Sequence, residues 1–372
     1  MTMQTEAFVL REAGVAMRVE TVFLEDPRPG EVLVSIVATG LCRTDLHAIE
    51  GNDNTPKPIV MGHEAVAVVE KKGDGVDNLD IGERVVLSWI PECRACRPCL
   101  RGNPALCKVA DNCFLTGELP GGGMRLRDKD GKPIYHYSSV ASFARHAVVP
   151  ARGCISLGNE SIASESAAAI GCAAMTGIGA AINTAQIRLD DSVVVFGVGG
   201  IGLNVLQGAR LAGASVIIGV DMNPNKREIA HKFGATHFID GGQQNVSQEI
   251  AAICGDGADV AFDALGNPAV IKSAFDAVCS GGQVICVGIS NAGAELCLPA
   301  DEMVCTGKTV VGCYYGGANP SRDFPMLINL FRHNKILLDE LVEEVIPFEK
   351  IADGFARMQS GTLLGRLVAK LN

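Results

Sequence analysis

The sequence predicts an α/β protein in which a doubly wound, six-stranded parallel sheet is joined to a second, β-rich domain. Three observations carry this. From Asp190 onward, apolar β-like runs alternate with amphipathic stretches. The first of those runs leads straight into G-x-G-x-x-G. Before Asp190, short β-like runs are separated by Gly- and Pro-rich turns instead of helices.

In the first half, Val32–Val37, Ala65–Glu70 and Arg84–Leu87 read as strands, and Pro27–Gly30 and Lys72–Gly75 as turns. This half is expected to be an antiparallel domain bearing long loops. In the second half the strands are Val193–Phe196, Val216–Val220, His237–Ile239, Val260–Asp263, Val284–Val287 and Val310–Cys313. The helices between them are Ile201–Ala212, Asn225–Phe233, Val246–Ile253 and Ala269–Val278. Ile201, Val205, Ala209 and Ala212 share one helical face. Apolar strands separated by helices imply a parallel sheet covered on both sides. From about Gly316 the chain returns to mixed helix and strand.

The bulk numbers narrow the function. The 372 residues suggest two domains, and the 48% hydrophobic content supplies real cores. A net charge of −10 argues against phosphate-backbone binding, so nucleic acid is not an expected partner. The 14 cysteines come with no secretory pattern, which suggests metal binding or free thiols in a reducing, cytoplasmic setting. No apolar run reaches the roughly 18 residues of a membrane span.

Cys93, Cys96, Cys99 and Cys107 form C-x2-C-x2-C-x7-C. Four thiolates at about 2.3 Å make a closed tetrahedral zinc site, which is structural because no coordination position stays open. A disulfide pair or chance clustering is the competing reading. The intervening Pro91, Arg94, Arg97, Pro98, Gly102, Asn103 and Pro104 suit a loop, where a zinc knuckle belongs.

Val193–Phe196 runs into Gly197-Val198-Gly199-Gly200-Ile201-Gly202. Gly197 permits the tight turn, Gly199 the approach of a pyrophosphate, and Gly202 close packing of helix on strand. The helix N-terminus adds partial positive charge. Asp221 ends the second strand, 19 residues after Gly202. A carboxylate there accepts from ribose hydroxyls and repels a 2′-phosphate, so NAD is the expected cofactor. Lys226 offers a second ribose contact; a helix cap and a solvated lysine are the plainer readings of the two.

Gly40-Leu41-Cys42-Arg43-Thr44-Asp45-Leu46-His47, then Gly62-His63-Glu64, then Gly171-Cys172 make a second constellation. Two Cys and one His that converge can hold a zinc with a fourth position open to water or substrate. Each residue alone reads as core. Together, and in this order, the segments resemble the zinc-dependent medium-chain alcohol dehydrogenases over essentially the whole chain.

The resemblance implies a GroES-like catalytic domain over 1–173, with a structural zinc loop at 91–108. It implies a Rossmann NAD-binding domain over 174–315, and a return to the catalytic domain over 316–372. By the same resemblance Cys42, His63 and Cys172 are the catalytic zinc ligands, Glu64 a transient fourth ligand, and Asp45 the carboxylate that orients His63. Thr44 and His47 resemble the proton relay, and Arg43 and Arg366 pyrophosphate contacts. Trp89 stands where family members line the substrate pocket; a ring packed beside the knuckle is the plainer reading.

The chemistry suits these roles. An alkoxide is a far better hydride donor than an alcohol, and zinc lowers the pKa of a bound hydroxyl toward neutrality. A hydroxyl and a histidine can carry the proton outward, and the nicotinamide takes the hydride. The expected activity is reversible, NAD-linked oxidation of primary aliphatic or aromatic alcohols to aldehydes. Thiol-adduct (formaldehyde) or polyol oxidation on the same scaffold is one alternative, and a non-catalytic zinc and NAD-binding regulator is another. Asp53 resembles an acidic residue of the thiol-adduct enzymes, but Lys108-Val109-Ala110-Asp111 lacks their basic residue, and His47 also departs from that subgroup. Ala173 stands where the family commonly has Gly. The stretch Phe114–Tyr137 resembles a loop of dimeric members, so a homodimer is expected ahead of a tetramer.

Overall fold

The structure, a computed structural model, describes residues 2–158, 161–242 and 245–371. It divides into two compact units: Met1–Cys172 with Asn319–Asn334 and Leu338–Asn372, and Ala173–Ala318 with Lys335–Leu337.

In the first unit, strands Thr2–Leu10, Arg18–Glu25, Leu126–Arg127, Pro133–His136 and Ile59–Val60 close into a barrel. Beside it lies a seven-stranded sheet in the order Cys154–Ser156, Arg84–Leu87, Glu64–Lys72, Glu31–Gly40, Arg366–Lys370, Val342–Pro347, with His146–Pro150 also pairing to Glu31–Gly40. Val32, Val34, Ile36 and Ala38 are all fully buried, the period-two signature of one face turned to a core. Pairing is antiparallel except between Ile59–Val60 and Pro133–His136 and between Val342–Pro347 and Arg366–Lys370.

Two expectations are corrected here. The stretch Phe114–Tyr137 is not loop throughout: it starts in the last turn of helix Lys108–Thr116 and includes the two short barrel strands Leu126–Arg127 and Pro133–His136. The reason is a buried ion pair. Arg125 Nε and Nη2 donate to Glu31 at 2.8 and 2.6 Å, and His136 Nε2 accepts the Arg125 N–H at 2.9 Å. The knuckle is not wholly loop either: Arg97–Leu100 and Pro104–Leu106 are short helical turns, with Arg94 and Gly102 at positive φ supplying the bends.

The second unit is a six-stranded parallel sheet in the order His237–Asp240, Val216–Asp221, Ser192–Phe196, Ala258–Asp263, Val278–Cys286, Thr309–Gly312. Strand order reverses beside Ser192–Phe196, where doubly wound folds bind ligands. Val193, Val194 and Val195 are fully buried. The fifth strand begins at Val278, well before the expected Val284. Ser280-Gly281-Gly282 lies inside this strand as an irregularity opposite Ala258/Val260, with Gly281 at φ 80°. Val287 and Cys313 fall just outside their strands. Among the described residues no single helix is long and apolar enough to cross a membrane.

Candidate metal centres and nucleotide loop

Helix Arg43–Glu50 starts at Cys42, whose backbone is extended (φ −112°). Asp45, in its first turn, is fully buried and accepts the Cys42 N–H at 3.2 Å. The same carboxylate accepts the Gly62 N–H at 3.1 Å and lies 3.1 Å from His63 Nδ1. A carboxylate only accepts, so Nδ1 carries the proton and Nε2 keeps a lone pair for a metal. Ligand atoms of Cys42, His63, Glu64 and Cys172 all lie within 4.8 Å of one another, and all four residues are buried.

The charges at this cluster are shared. The Cys172 thiol, with Arg366 and His63, holds Cys42 well below the usual thiol range, while its bond to Cys42 and burial push Cys172 up. Burial alone would depress His63, but the Asp45 carboxylate and Cys42 outweigh it and raise the imidazole, so a metal at Nε2 would bind by displacing a proton. Burial pushes Glu64 up to about 7, against the pull of Arg366. Arg366 is buried and clasps Glu64 with both Nε, at 3.2 Å, and Nη2. A Cβ at Gly40 would collide with the Glu64 carboxylate, which explains glycine there.

Thr44 Oγ1 stands 3.6 Å from Cys42 Sγ. His47, one turn along the helix on the same face as Thr44, is half-buried, and Arg43 is exposed. The Trp89 ring meets the His63 ring edge-on at 6.2 Å, so its place is at the metal cluster and not merely beside the knuckle. Tyr137 flanks His63 at 5.7 Å, and its hydroxyl donates to the Thr44 carbonyl at 3.3 Å. Sequence reading did not single out Tyr137; nothing in Tyr135-His136-Tyr137 marks which ring turns inward. Asp53 Oδ1 accepts from Thr55 N, Thr55 Oγ1 and Lys57 Nζ at 3.2, 2.8 and 3.3 Å.

Cys93, Cys96, Cys99 and Cys107 form the second cluster within 4.8 Å. Sγ atoms lie 3.5 Å (Cys96–Cys99) and 3.9 Å (Cys93–Cys99) apart. A tetrahedron with bonds of about 2.3 Å has edges of about 3.8 Å, whereas a disulfide needs about 2.05 Å. The spacing fits zinc and rejects the disulfide. Ala95 N and Cys96 N donate to Cys93 Sγ at 3.4 and 3.3 Å, and Cys93 N to Cys107 Sγ at 3.3 Å. The Cys99 amide is foremost in drawing Cys96 down to about 6, within reach of the thiolate that metals bind.

In the second unit Gly197 turns at φ 93° and donates its N–H to Val220 O at 2.8 Å. A Cβ on Gly202 would strike the Gly197 carbonyl, so this glycine serves packing. A Cβ on Gly199 would meet nothing within 4 Å, so this glycine leaves space for a ligand. Asp221 Oδ2 accepts the Val198 N–H at 2.8 Å and Lys226 Nζ at 3.0 Å, and Oδ1 accepts the Asn223 N–H at 3.0 Å. Lys226 is thus engaged with Asp221 itself.

The comparisons agree with this chemistry. Residues 28–159 match the alcohol dehydrogenase GroES-like domain family and residues 200–333 the zinc-binding dehydrogenase family. The chain is 39% identical to an S-(hydroxymethyl)glutathione dehydrogenase of Paracoccus denitrificans, over 98% of this chain and 100% of that one. It is 36% identical to a class-3 alcohol dehydrogenase of Cereibacter sphaeroides, over the same shares. An alcohol dehydrogenase zinc-binding domain protein of Burkholderia ambifaria superposes with a TM-score of 0.94 at 33% identity, covering 100% of both chains. The benzyl alcohol dehydrogenase of Acinetobacter calcoaceticus does so with a TM-score of 0.93 at 29% identity, again over 100% of both. The chain therefore belongs to the zinc-dependent medium-chain alcohol dehydrogenases, enzymes whose cofactors are zinc and NAD(H).

Proposed function

We propose that this protein oxidises primary aliphatic or aromatic alcohols to aldehydes, reversibly, with NAD. The observation that carries the reading is the buried cluster of Cys42, His63 and Cys172, with Trp89 set edge-on against His63. These three residues would hold the zinc, which as a Lewis acid makes the substrate hydroxyl easier to deprotonate. Asp45 fixes the His63 tautomer and orientation. The Thr44 hydroxyl, beside Cys42, receives the substrate proton, and His47 on the same helix face passes it to solvent. Arg366 holds the Glu64 carboxylate back as a reserve ligand. Trp89 forms an apolar wall that favours primary over crowded secondary alcohols. Gly197, Gly199 and Gly202 admit the pyrophosphate, and Asp221 selects NAD.

Relatives named S-(hydroxymethyl)glutathione dehydrogenase, together with Asp53, favour a second reading as a thiol-adduct dehydrogenase. Against it, Asp53 is already engaged by Lys57 and Thr55, and the fourth residue after Cys107 is the acidic Asp111. Absorbance at 340 nm with ethanol, benzyl alcohol and S-(hydroxymethyl)glutathione tests both. Higher kcat/KM on the glutathione adduct than on benzyl alcohol would reverse the preference.

A cytoplasmic homodimer is the assembly we favour. Edge strand Thr309–Gly312 is exposed to half-exposed, and the neighbouring helix Ala300–Thr306 leaves Val304 83% exposed. Sedimentation at the mass of one chain would refute it.

A further inference from the structure

Segment Leu87–Cys93 leads from the end of strand Arg84–Leu87 to the first knuckle thiol, and it carries the chain's single tryptophan. Its near end is wedged. A Cβ on Gly171, the residue before Cys172, would stand 2.8 Å from the Leu87 carbonyl oxygen. Its middle is clamped by Gly153, which accepts the Ser88 N–H at 2.7 Å and whose Cβ would meet Ser88 O at 2.9 Å and Pro91 at 3.6 Å. Ser88 Oγ accepts the Ile90 N–H at 3.2 Å. Trp89 rides on this arch, edge-on to His63.

The far end is held by Glu92. It is buried; its Oε1 accepts from Arg94 Nε at 3.0 Å and lies 2.8 Å from Ser321 Oγ, the shorter of two acceptor distances for that hydroxyl, the other being Asn319 Oδ1 at 3.0 Å. Ser321 lies in the first turn of helix Pro320–Arg332, where the helix N-terminus favours a carboxylate. That helix buries Phe324 and Leu327 and packs on strand Cys154–Ser156 and on the turn Ala169–Gly171 that leads into Cys172. Burying a carboxylate is costly unless it is paired.

We propose that Glu92 is a positioning residue for the substrate site. Through Ser321 it fixes the arch that carries Trp89, so the four-thiol site and the reactive site share one rigid segment, and that segment sets which alcohols fit. The proposal rests on the alcohol dehydrogenase reading above.

The test uses the full-length, zinc-loaded enzyme. Ser321→Ala removes the anchor without touching the knuckle, Ser321→Thr restores it, and Glu92→Ala removes it from the other side. Three quantities are measured: zinc per chain, acrylamide quenching of Trp89 fluorescence, and kcat and KM for ethanol and benzyl alcohol. Ser321→Ala is expected to keep its zinc and to raise the quenching constant about twofold. It should raise KM for benzyl alcohol about fivefold with kcat nearly unchanged, the scale of one lost hydrogen bond, and Ser321→Thr should return both values toward wild type. Unchanged quenching, or unchanged KM ratios, in both Ser321→Ala and Glu92→Ala at full zinc content would overturn the proposal. The quenching arm needs no turnover. A wild-type enzyme that oxidises no alcohol while Ser321→Ala still loosens Trp89 would refute the alcohol reading and leave the coupling standing.

Discussion

The Asp45 carboxylate lies 3.1 Å from His63 Nδ1 while also accepting the backbone N–H groups of Cys42 and Gly62. One fully buried side chain thus fixes two ligand-bearing segments and the tautomer of the histidine between them. Asp45→Asn keeps the size but presents an amide of weaker basicity. We expect zinc affinity at this site to fall about 10- to 100-fold, read by competition with a chromogenic chelator. Affinity within twofold of wild type would mean that Asp45 does not orient His63.

Gly199 and Gly202 separate two uses of glycine in one loop. Gly202→Ala drives a Cβ into the Gly197 carbonyl and should cost about 1–3 kcal/mol, seen as a lower Tm without cofactor. Gly199→Ala has open space and an ordinary φ of −101°, so Tm should hold while KM for NAD rises. Equal Tm losses in both variants would contradict this division.

The proposed preference for NAD rests on Asp221. A 2′-phosphate brought against this carboxylate faces like-charge repulsion of several kcal/mol. Asp221→Ser should therefore raise the NADP to NAD ratio of kcat/KM by about 100-fold. Because Asp221 also ties down Val198 N–H, the variant should lose some efficiency with NAD as well. A ratio that stays within threefold of wild type would remove Asp221 from cofactor choice.

His136 gives the chain an acid limit. It is fully buried, and burial, then the Arg125 charge, depresses it to about 3. Unfolded, it titrates near 6.5. Between those values the unfolded chain binds the extra proton, so stability falls as pH drops, by up to about 1.4 kcal/mol per unit. His136→Gln keeps an acceptor for the Arg125 N–H without the titration. Denaturant unfolding from pH 6.5 to pH 4 should show a shallower decline for the variant. Parallel pH slopes would show that His136 is not the group responsible.

What could be read from sequence follows the range of the interactions. The knuckle and the glycine loop are local, and their spacing nearly dictates their geometry, down to Sγ separations of 3.5 and 3.9 Å. The parallel sheet was readable because buried strands such as Val193–Phe196 are continuously apolar. The Glu64–Arg366 pair joins residues 302 apart, and no periodicity announces such a partner. The barrel hairpin was hidden because its strands are only two and four residues long and depend on the Arg125–Glu31 pair. Gly281 and Gly282 masked the start of a strand because glycine signals a turn and a strand irregularity alike.

The most direct test counts zinc per chain alongside alcohol-dependent NADH formation, in wild type and in Cys172→Ser. Two clusters of ligand-bearing side chains predict two zincs in the wild type. Cys172→Ser should retain the knuckle zinc, lose the other, and show no alcohol-driven rise at 340 nm. A Cys172→Ser enzyme that keeps both metals and wild-type turnover would contradict the assignment of Cys42, His63 and Cys172 as the reactive metal site.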